Sequence, residues 1–252
     1  MGLFDKFKGK QSQEPGGIEQ AKETVEAAQA ALGEKLKAAM EEKYGEHFTV
    51  LECGLGSPLQ PYGMATMKSE RYPEDVIQVI HVPENKEVSI QDNYARLLVA
   101  EDFRMIAQKI VDRKIQPNIV RVSLTGLTMP PELGAGATWE QYLAVEEKPL
   151  VCVHIYVDLP DEEARGEMVK KIAEEFVEEK IFCRIEVRFY KERWNEVNPD
   201  RQLETSKWYP QYAMVYMKRP EPNETLRLKR ITFSDIVDSS NNYEINYGDQ
   251  EE

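Results

Sequence analysis

From Pro149 to Tyr190 the chain reads PLVCVHIYVDLPDEEARGEMVKKIAEEFVEEKIFCRIEVRFY, and its apolar spacing changes twice within that span. Val151, Val153, Ile155 and Val157 alternate with Cys152, His154, Tyr156 and Asp158, the period of a strand. Met168, Val169, Ile172, Phe176 and Val177 then follow helical spacing between Glu and Lys residues. Asp158 is the expected N-cap and Pro160 falls in the first turn, where its missing N–H costs little. Asp161, Glu162 and Glu163 add negative charge at the positive end of the helix dipole. A second strand follows, with Cys183, Ile185, Val187 and Phe189 alternating against Arg184, Glu186 and Arg188.

Length decides how the two strands are joined. A helix of roughly 19 residues rises about 28 Å, close to the about 30 Å of a roughly 9-residue strand. The helix therefore returns the chain to its starting edge, and the strands run parallel through a right-handed crossover, as neighbours or with one strand between them. Each strand has one apolar and one mixed face, whereas a parallel sheet covered on both sides reads as continuously apolar. The expectation is an α+β fold: a mixed β-sheet with helices mainly on one face, containing a βαβ unit at 150–190, plus a long N-terminal helix.

That helix is expected over Ile18 to Tyr44, where Ile18, Val25, Leu32 and Ala39 repeat every seven residues beside Ala21 and Ala28. The stripe is narrow and Ala-rich, so it is expected to pack on the body of the same chain. Gly33 weakens the helix by about 1 kcal/mol relative to Ala. Strands are expected at His47–Cys53, Met64–Met67, Val76–Val82, Ile119–Leu124, Tyr212–Met217 and Thr225–Phe233, with helices at Asn93–Lys114 and Gln141–Glu147. The Gly- and Pro-rich stretch TGLTMPPELGAGATW reads as a connector. The resulting division is a flexible tail at 1–17, an N-terminal α+β half at 18–124, a connector at 125–138, a C-terminal α+β half at 139–238 and a disordered acidic tail at 239–252.

The net charge of −13 argues against a general nucleic-acid binder, because phosphates need basic residues to neutralise them. No apolar run approaches the ~20 residues that span a bilayer. The start, MGLFDKFKGK, is too interrupted by Lys to form the apolar core of an export signal. Cys53, Cys152 and Cys183 are odd in number and far apart, which fits reduced thiols and a cytoplasmic location. The sequence holds no GxxxxGK[ST], GxGxxG, HExxH, GxSxG, EF-hand or CxxC pattern, so no catalytic residue, cofactor or metal site is assigned.

Several weaker constellations remain. Leu3, Phe4 and Phe7, with Lys6, Lys8 and Lys10, could share one side of a turn that touches an anionic membrane surface. GLGSPLQPYG has the glycines of an anion-binding loop but lacks the Lys and hydroxyl of a phosphate loop. Asp75 with Glu84-Asn85-Lys86 has the composition of an acidic-x-Lys nuclease site, yet PENK reads as a turn between strands. Cys152 and His154 project to the same face of one strand and are both metal-ligand types. With only His47 and His81 as further histidines, a structural His beside a small Cys is the simpler reading. Cys183 has the opposite parity and is expected beneath the helix. The leading candidate is the mixed sheet face, His154, Tyr156, Arg184, Glu186, Arg188 and Tyr190, since aromatics and Arg are enriched at protein interfaces.

Lys43 to Phe48 (KYGEHF) fits a Lys-Tyr-Gly-Glu-x-Phe strand entry, and Asp92 to Tyr94 forms an Asp-Asn-Tyr turn before a helix. In these segments the chain resembles small uncharacterised α+β proteins of Gram-positive bacteria. Many of those carry a lipoprotein export signal, which this chain does not show. The resemblance implies a bacterial protein and no activity, and it transfers no functional residue.

The function expected is that of a non-enzymatic protein-interaction or accessory module, such as an immunity or regulatory partner, with a protein as its unknown partner. The alternatives are an enzyme with dispersed carboxylates acting on a small or phosphorylated substrate, and a peripheral membrane adaptor working through the N-terminal segment.

Overall fold

The computed structural model describes residues 15–57, 62–84, 87–124, 129–146, 151–158, 161–190, 211–218, 225–235 and 242–247. They form two compact units, residues 1–93 and 94–252. The fold is α+β, with a long N-terminal helix and two sheets where the sequence suggested one.

In the first unit, helix α1 (Pro15–Tyr44) precedes strands β1 (Phe48–Gly54), β2 (Gly63–Ser69), β3 (Ile77–Glu84) and β4 (Glu87–Asp92), an antiparallel meander in chain order. The heptad stripe is not the packed face of α1. Val25 is 48% exposed, while Gly33, Leu36, Met40 and Tyr44 are buried. Only the last turns dock, because only there do large apolar residues recur at spacings of three and four. Gly33 is buried against β1: a Cβ there would meet Val50 Cγ1 at 3.4 Å and Cys53 Cβ at 3.5 Å, ordinary contact distances that an alanine would also satisfy.

Gly45 ends the helix in the left-handed region, φ 67°, and its N–H donates to the Glu41 carbonyl at 2.8 Å. The reversal sets the Phe48 ring 6.2 Å from that of Tyr44. Asp92 closes the unit from the other end. Its carboxylate is buried and accepts from Tyr44 Oη at 2.6 Å and Lys43 Nζ at 2.9 Å. Asn93 exchanges bonds with Gln78, accepting from its N–H through Oδ1 and donating its own N–H to its carbonyl. Lys43 and Tyr44 of one segment that carried the resemblance thus meet Asp92 of the other within the first unit.

The second unit contains helix α2 (Tyr94–Asp112), β5 (Asn118–Leu124), α3 (Trp139–Val145), β6 (Val151–Asp158), α4 (Glu162–Glu178), β7 (Arg184–Tyr190), β8 (Gln211–Lys218), β9 (Arg227–Asp235) and β10 (Tyr243–Asn246). Its sheet runs β10-β9-β8-β7-β6-β5. Strands β6 and β7 are parallel neighbours and every other pair is antiparallel. Helices α2 and α4 pack on the face carrying Val153, Ile155, Ile185, Val187, Val215 and Ile231, all wholly buried. Each such aliphatic side chain contributes about 1.5–3 kcal/mol by leaving water. Arg165 of α4 is also buried here, its guanidinium 4.9 Å from the Phe189 ring centre.

Several boundaries depart from the sequence reading. The division between units falls at Asn93/Tyr94, and β5, expected in the first half, pairs with β6 across Val122 and Val153. The expected connector sends side chains into the core: Met129, Leu133 and Ala137 are buried, and Thr138 caps α3 in a capping box with Gln141. Trp139 stacks on Phe103 at 4.3 Å and donates its backbone N–H to Asp102. Asp158 closes β6, and α4 begins at Glu162, so Asp161 and not Asp158 directly precedes the helix. Residues 243–246 of the expected disordered tail form an edge strand, because Tyr243 stacks on Phe233 at 4.4 Å with the planes 9° apart.

Candidate functional site

The face of the six-stranded sheet opposite α2 and α4 carries the polar residues. Pairing registers place them in rows across the strands. One row runs Ser123, Cys152, Arg184. The next runs Arg121, His154, Glu186, Met214, Thr232, Glu244. A third runs Ile119, Tyr156, Arg188, Tyr212, Ser234. Strand parity alone therefore put the candidate residues His154, Tyr156, Arg184, Glu186, Arg188 and Tyr190 on one face, and the parallel pairing of β6 with β7 makes them neighbours.

They are not equally accessible. Tyr190 is wholly buried and Tyr156 is 7% exposed, their rings 6.1 Å apart. Arg184 is exposed at the other end of the face, and His154, Glu186 and Arg188 are half-buried between them. Tyr190 is thus a packing residue on the right face and offers nothing to an incoming partner.

At the centre His154 Nδ1 lies 3.4 Å from Glu186 Oε2, and Nε2 lies 3.2 Å from Ser123 Oγ. Arg188 Nε donates to Glu186 Oε1 at 2.6 Å, and its guanidinium lies 5.5 Å from the Tyr156 ring centre. Burial alone would favour the neutral imidazole, but hydrogen bonds and charge interactions with Cys152 and Glu186 outweigh it and push His154 up to about 9. Burial would likewise raise Glu186; hydrogen bonds from His154 and Arg188 hold it down to about 2. The shift favours the protonated form of His154. The line Ser123–His154–Glu186 has the connectivity of a nucleophile, base and orienting carboxylate, while the upward shift of His154 disfavours the neutral ring that would take the serine proton.

Beside this cluster a shallow cavity of about 410 Å³ is lined by Arg184, Glu186, Tyr212, Met214, Tyr216, Thr232 and Ser234. Arg230 stands over the Tyr216 ring at 4.4 Å and pairs with Glu244 at 3.5 Å. Sequence reasoning missed Ser123, Arg121 and the β8–β9 residues. The same parity that selected Arg184 and Glu186, extended along 119–124 and 212–216, marks Ser123, Arg121, Tyr212, Met214 and Tyr216. Their adjacency depends on strand order, which parity does not give.

The remaining sequence candidates fall elsewhere. Cys183 is buried as expected, and burial pushes its thiol well up from the usual value. His47 pairs with Glu41 at 3.3 Å and His81 lies on β3. Gly63, from the glycine-rich stretch, begins β2 where a Cβ would come within 2.5 Å of Leu32 Cδ2, so it serves packing; residues 58–61 of that stretch lie outside the described residues. Asp75 is exposed in a turn before β3, Glu84 ends that strand, and residues 85–86 lie outside the described residues. Leu3, Phe4 and Phe7 also lie outside them. Among the described residues no helix is long and apolar enough to cross a membrane.

No protein-family model and no curated protein matches the sequence. A solved structure of a DUF5037 family protein from Ruminococcus gnavus ATCC 29149 is similar at 15% identity, with a TM-score of 0.45, over 77% of this chain and 94% of that one.

Proposed function

We propose that the protein is a non-enzymatic interaction module that receives an acidic segment of a protein partner on the polar face of its second sheet. The observation that carries this reading is the cavity of about 410 Å³ edged by Arg184, Tyr212 and Tyr216. Arg and Tyr anchor interfaces disproportionately because each combines a large contact area with directional hydrogen bonding. Charge supports the sign of the partner. On a chain of net −13, the described residues of this face include Arg121, Arg184, Arg188 and Arg230 against Asp158, Glu186 and Glu244. Arg188 and Glu186 satisfy each other at 2.6 Å, which leaves the exposed Arg184 as the foremost anchor.

The test is fluorescence anisotropy with labelled peptides rich in Glu and Tyr, against matched peptides in which Lys replaces Glu. The acidic series is expected to bind, more weakly as salt rises, and Arg184→Glu is expected to reduce binding about tenfold or more, as for charge reversal at an interface anchor. Equal binding of the Lys series, or indifference to Arg184→Glu, overturns the reading.

A further inference from the structure

The parallel strands β6 and β7 bring together three different donor types. The Cys152 sulfur, a ring nitrogen of His154 and a carboxylate oxygen of Glu186 all lie within 4.8 Å of one another. Cys152 and His154 share a face because they are two apart on β6, and Glu186 stands opposite His154 on β7. From this geometry we propose that Cys152, His154 and Glu186 form a three-ligand site for a zinc-class divalent cation.

Two features favour a ligand set over a chance cluster. The first is spacing. Tetrahedral zinc with nitrogen and carboxylate ligands at ~2.0–2.2 Å separates those donor atoms by about 3.4 Å. His154 Nδ1 and Glu186 Oε2 are 3.4 Å apart. That pair holds the required distance before any ion arrives, and the Cys152 sulfur lies within 4.8 Å of both donors.

The second is what the remaining polar atoms do. A metal-bound imidazole ordinarily donates its other N–H to an oxygen, and a metal-bound carboxylate is itself hydrogen-bonded. Here Nε2 of His154 faces Ser123 Oγ at 3.2 Å, so once an entering cation displaces the proton shared with Glu186, an Nε2–H donor leaves Nδ1 free to ligate. The second oxygen of Glu186, Oε1, is held by Arg188 Nε at 2.6 Å, so Oε2 is the one turned to the cluster. Ser123 and Arg188 are thus placed as outer partners, orienting Nδ1 and Oε2 toward one point.

The donor chemistry selects the ion. One thiolate, one imidazole and one carboxylate suit a borderline cation such as Zn²⁺ better than Mg²⁺ or Ca²⁺, which take oxygen ligands. Among the described residues the set stops at three, and the half-buried face admits solvent, so the fourth position belongs to water. Binding displaces the proton shared between His154 and Glu186 and the Cys152 thiol proton to solvent, with no redox change. The site stands independently of the partner reading.

The test uses the full chain, reduced and stripped with a chelator, then titrated with Zn²⁺ against a competing indicator and separately with Co²⁺. One ion per chain is expected, with a thiolate-to-cobalt charge-transfer band. Cys152→Ser should abolish that band and weaken Zn²⁺ binding at least about tenfold, Ser123→Ala should weaken it by about tenfold, in line with outer-shell losses, and Cys53→Ser should change neither. Glu186→Gln deprives Arg188 and His154 of their carboxylate and risks the fold, so the isosteric Cys152→Ser carries the decision once its metal-free melting temperature matches the wild type. No stoichiometric uptake, or uptake and a band that survive Cys152→Ser, overturns the proposal.

Discussion

Tyr44 Oη donates to Asp92 Oδ1 at 2.6 Å, tying the last residue of α1 to the last residue of β4 across 48 positions of sequence. Lys43 Nζ reaches the other carboxylate oxygen at 2.9 Å. Asp92 is buried, so its charge is tolerated only because both oxygens are engaged. Removing it should cost the partly buried Lys43 ammonium and the buried Tyr44 hydroxyl this acceptor. Asp92→Ala is expected to cost about 3–5 kcal/mol, the loss typical of breaking a buried pair from one side. Urea unfolding followed by circular dichroism measures it. A cycle of Tyr44→Phe with Asp92→Asn should show coupling of about 1–3 kcal/mol.

Helix α1 should be energetically lopsided. Leu36 is wholly buried while Val25 is 48% exposed. Leu36→Ala should cost about 2–5 kcal/mol, whereas Val25→Ser should stay within about 0.5 kcal/mol. Equal costs at the two positions would mean that the first turns of α1 are packed after all.

The two ends of the polar sheet face should separate stability from binding. Tyr190 has no exposed surface, and truncating a buried aromatic costs about 3–5 kcal/mol. Tyr190→Ala should therefore lower the melting temperature strongly, and any loss of binding would be secondary. Arg184→Ala should leave the melting temperature nearly unchanged and reduce acidic-peptide binding. A binding loss in Tyr190→Phe, with stability kept, would contradict this division.

Much of this was legible in the sequence, for a physical reason. Period two fixes which residues share a face, so His154, Glu186 and Arg188 could be grouped before any contact was known. The βαβ unit was equally legible because strand and helix lengths match. What period two cannot supply is strand order. The pairing of β5 with β6 brings Ser123 to His154, and it joins residues separated by an intervening helix and the segment containing Met129, Leu133 and Ala137, which reads locally as a linker. The packed face of α1 was misread for a related reason: a heptad of Ile18, Val25, Leu32 and Ala39 looks regular, but burial follows bulk, and Leu36, Met40 and Tyr44 hold it. Strand β10 was hidden by composition, because two apolar positions, Tyr243 and Ile245, suffice to extend an existing edge.

The central ion pair makes stability depend on pH at both ends of the range, and the two signs differ. Glu186 sits at about 2 in the folded protein against an ordinary 4.5, so the folded state binds its proton less tightly than the unfolded chain. Its contribution is present above about pH 4.5 and is lost as pH falls toward 2. His154 is raised from 6.5 to about 9, so the folded state holds that proton more tightly. Its contribution is complete below about pH 6.5 and is lost as pH rises through 9. Metal-free protein should therefore show a plateau in melting temperature between these limits, falling on both sides. His154→Asn should flatten the alkaline limb, since no proton is then released between pH 6.5 and 9. It should also shift the acid limb toward higher pH, because Glu186 loses one of the two partners that hold it down. Differential scanning calorimetry across pH 3 to 10 checks both limbs. An alkaline limb unchanged by His154→Asn would assign it to other groups and break the link between His154 and Glu186.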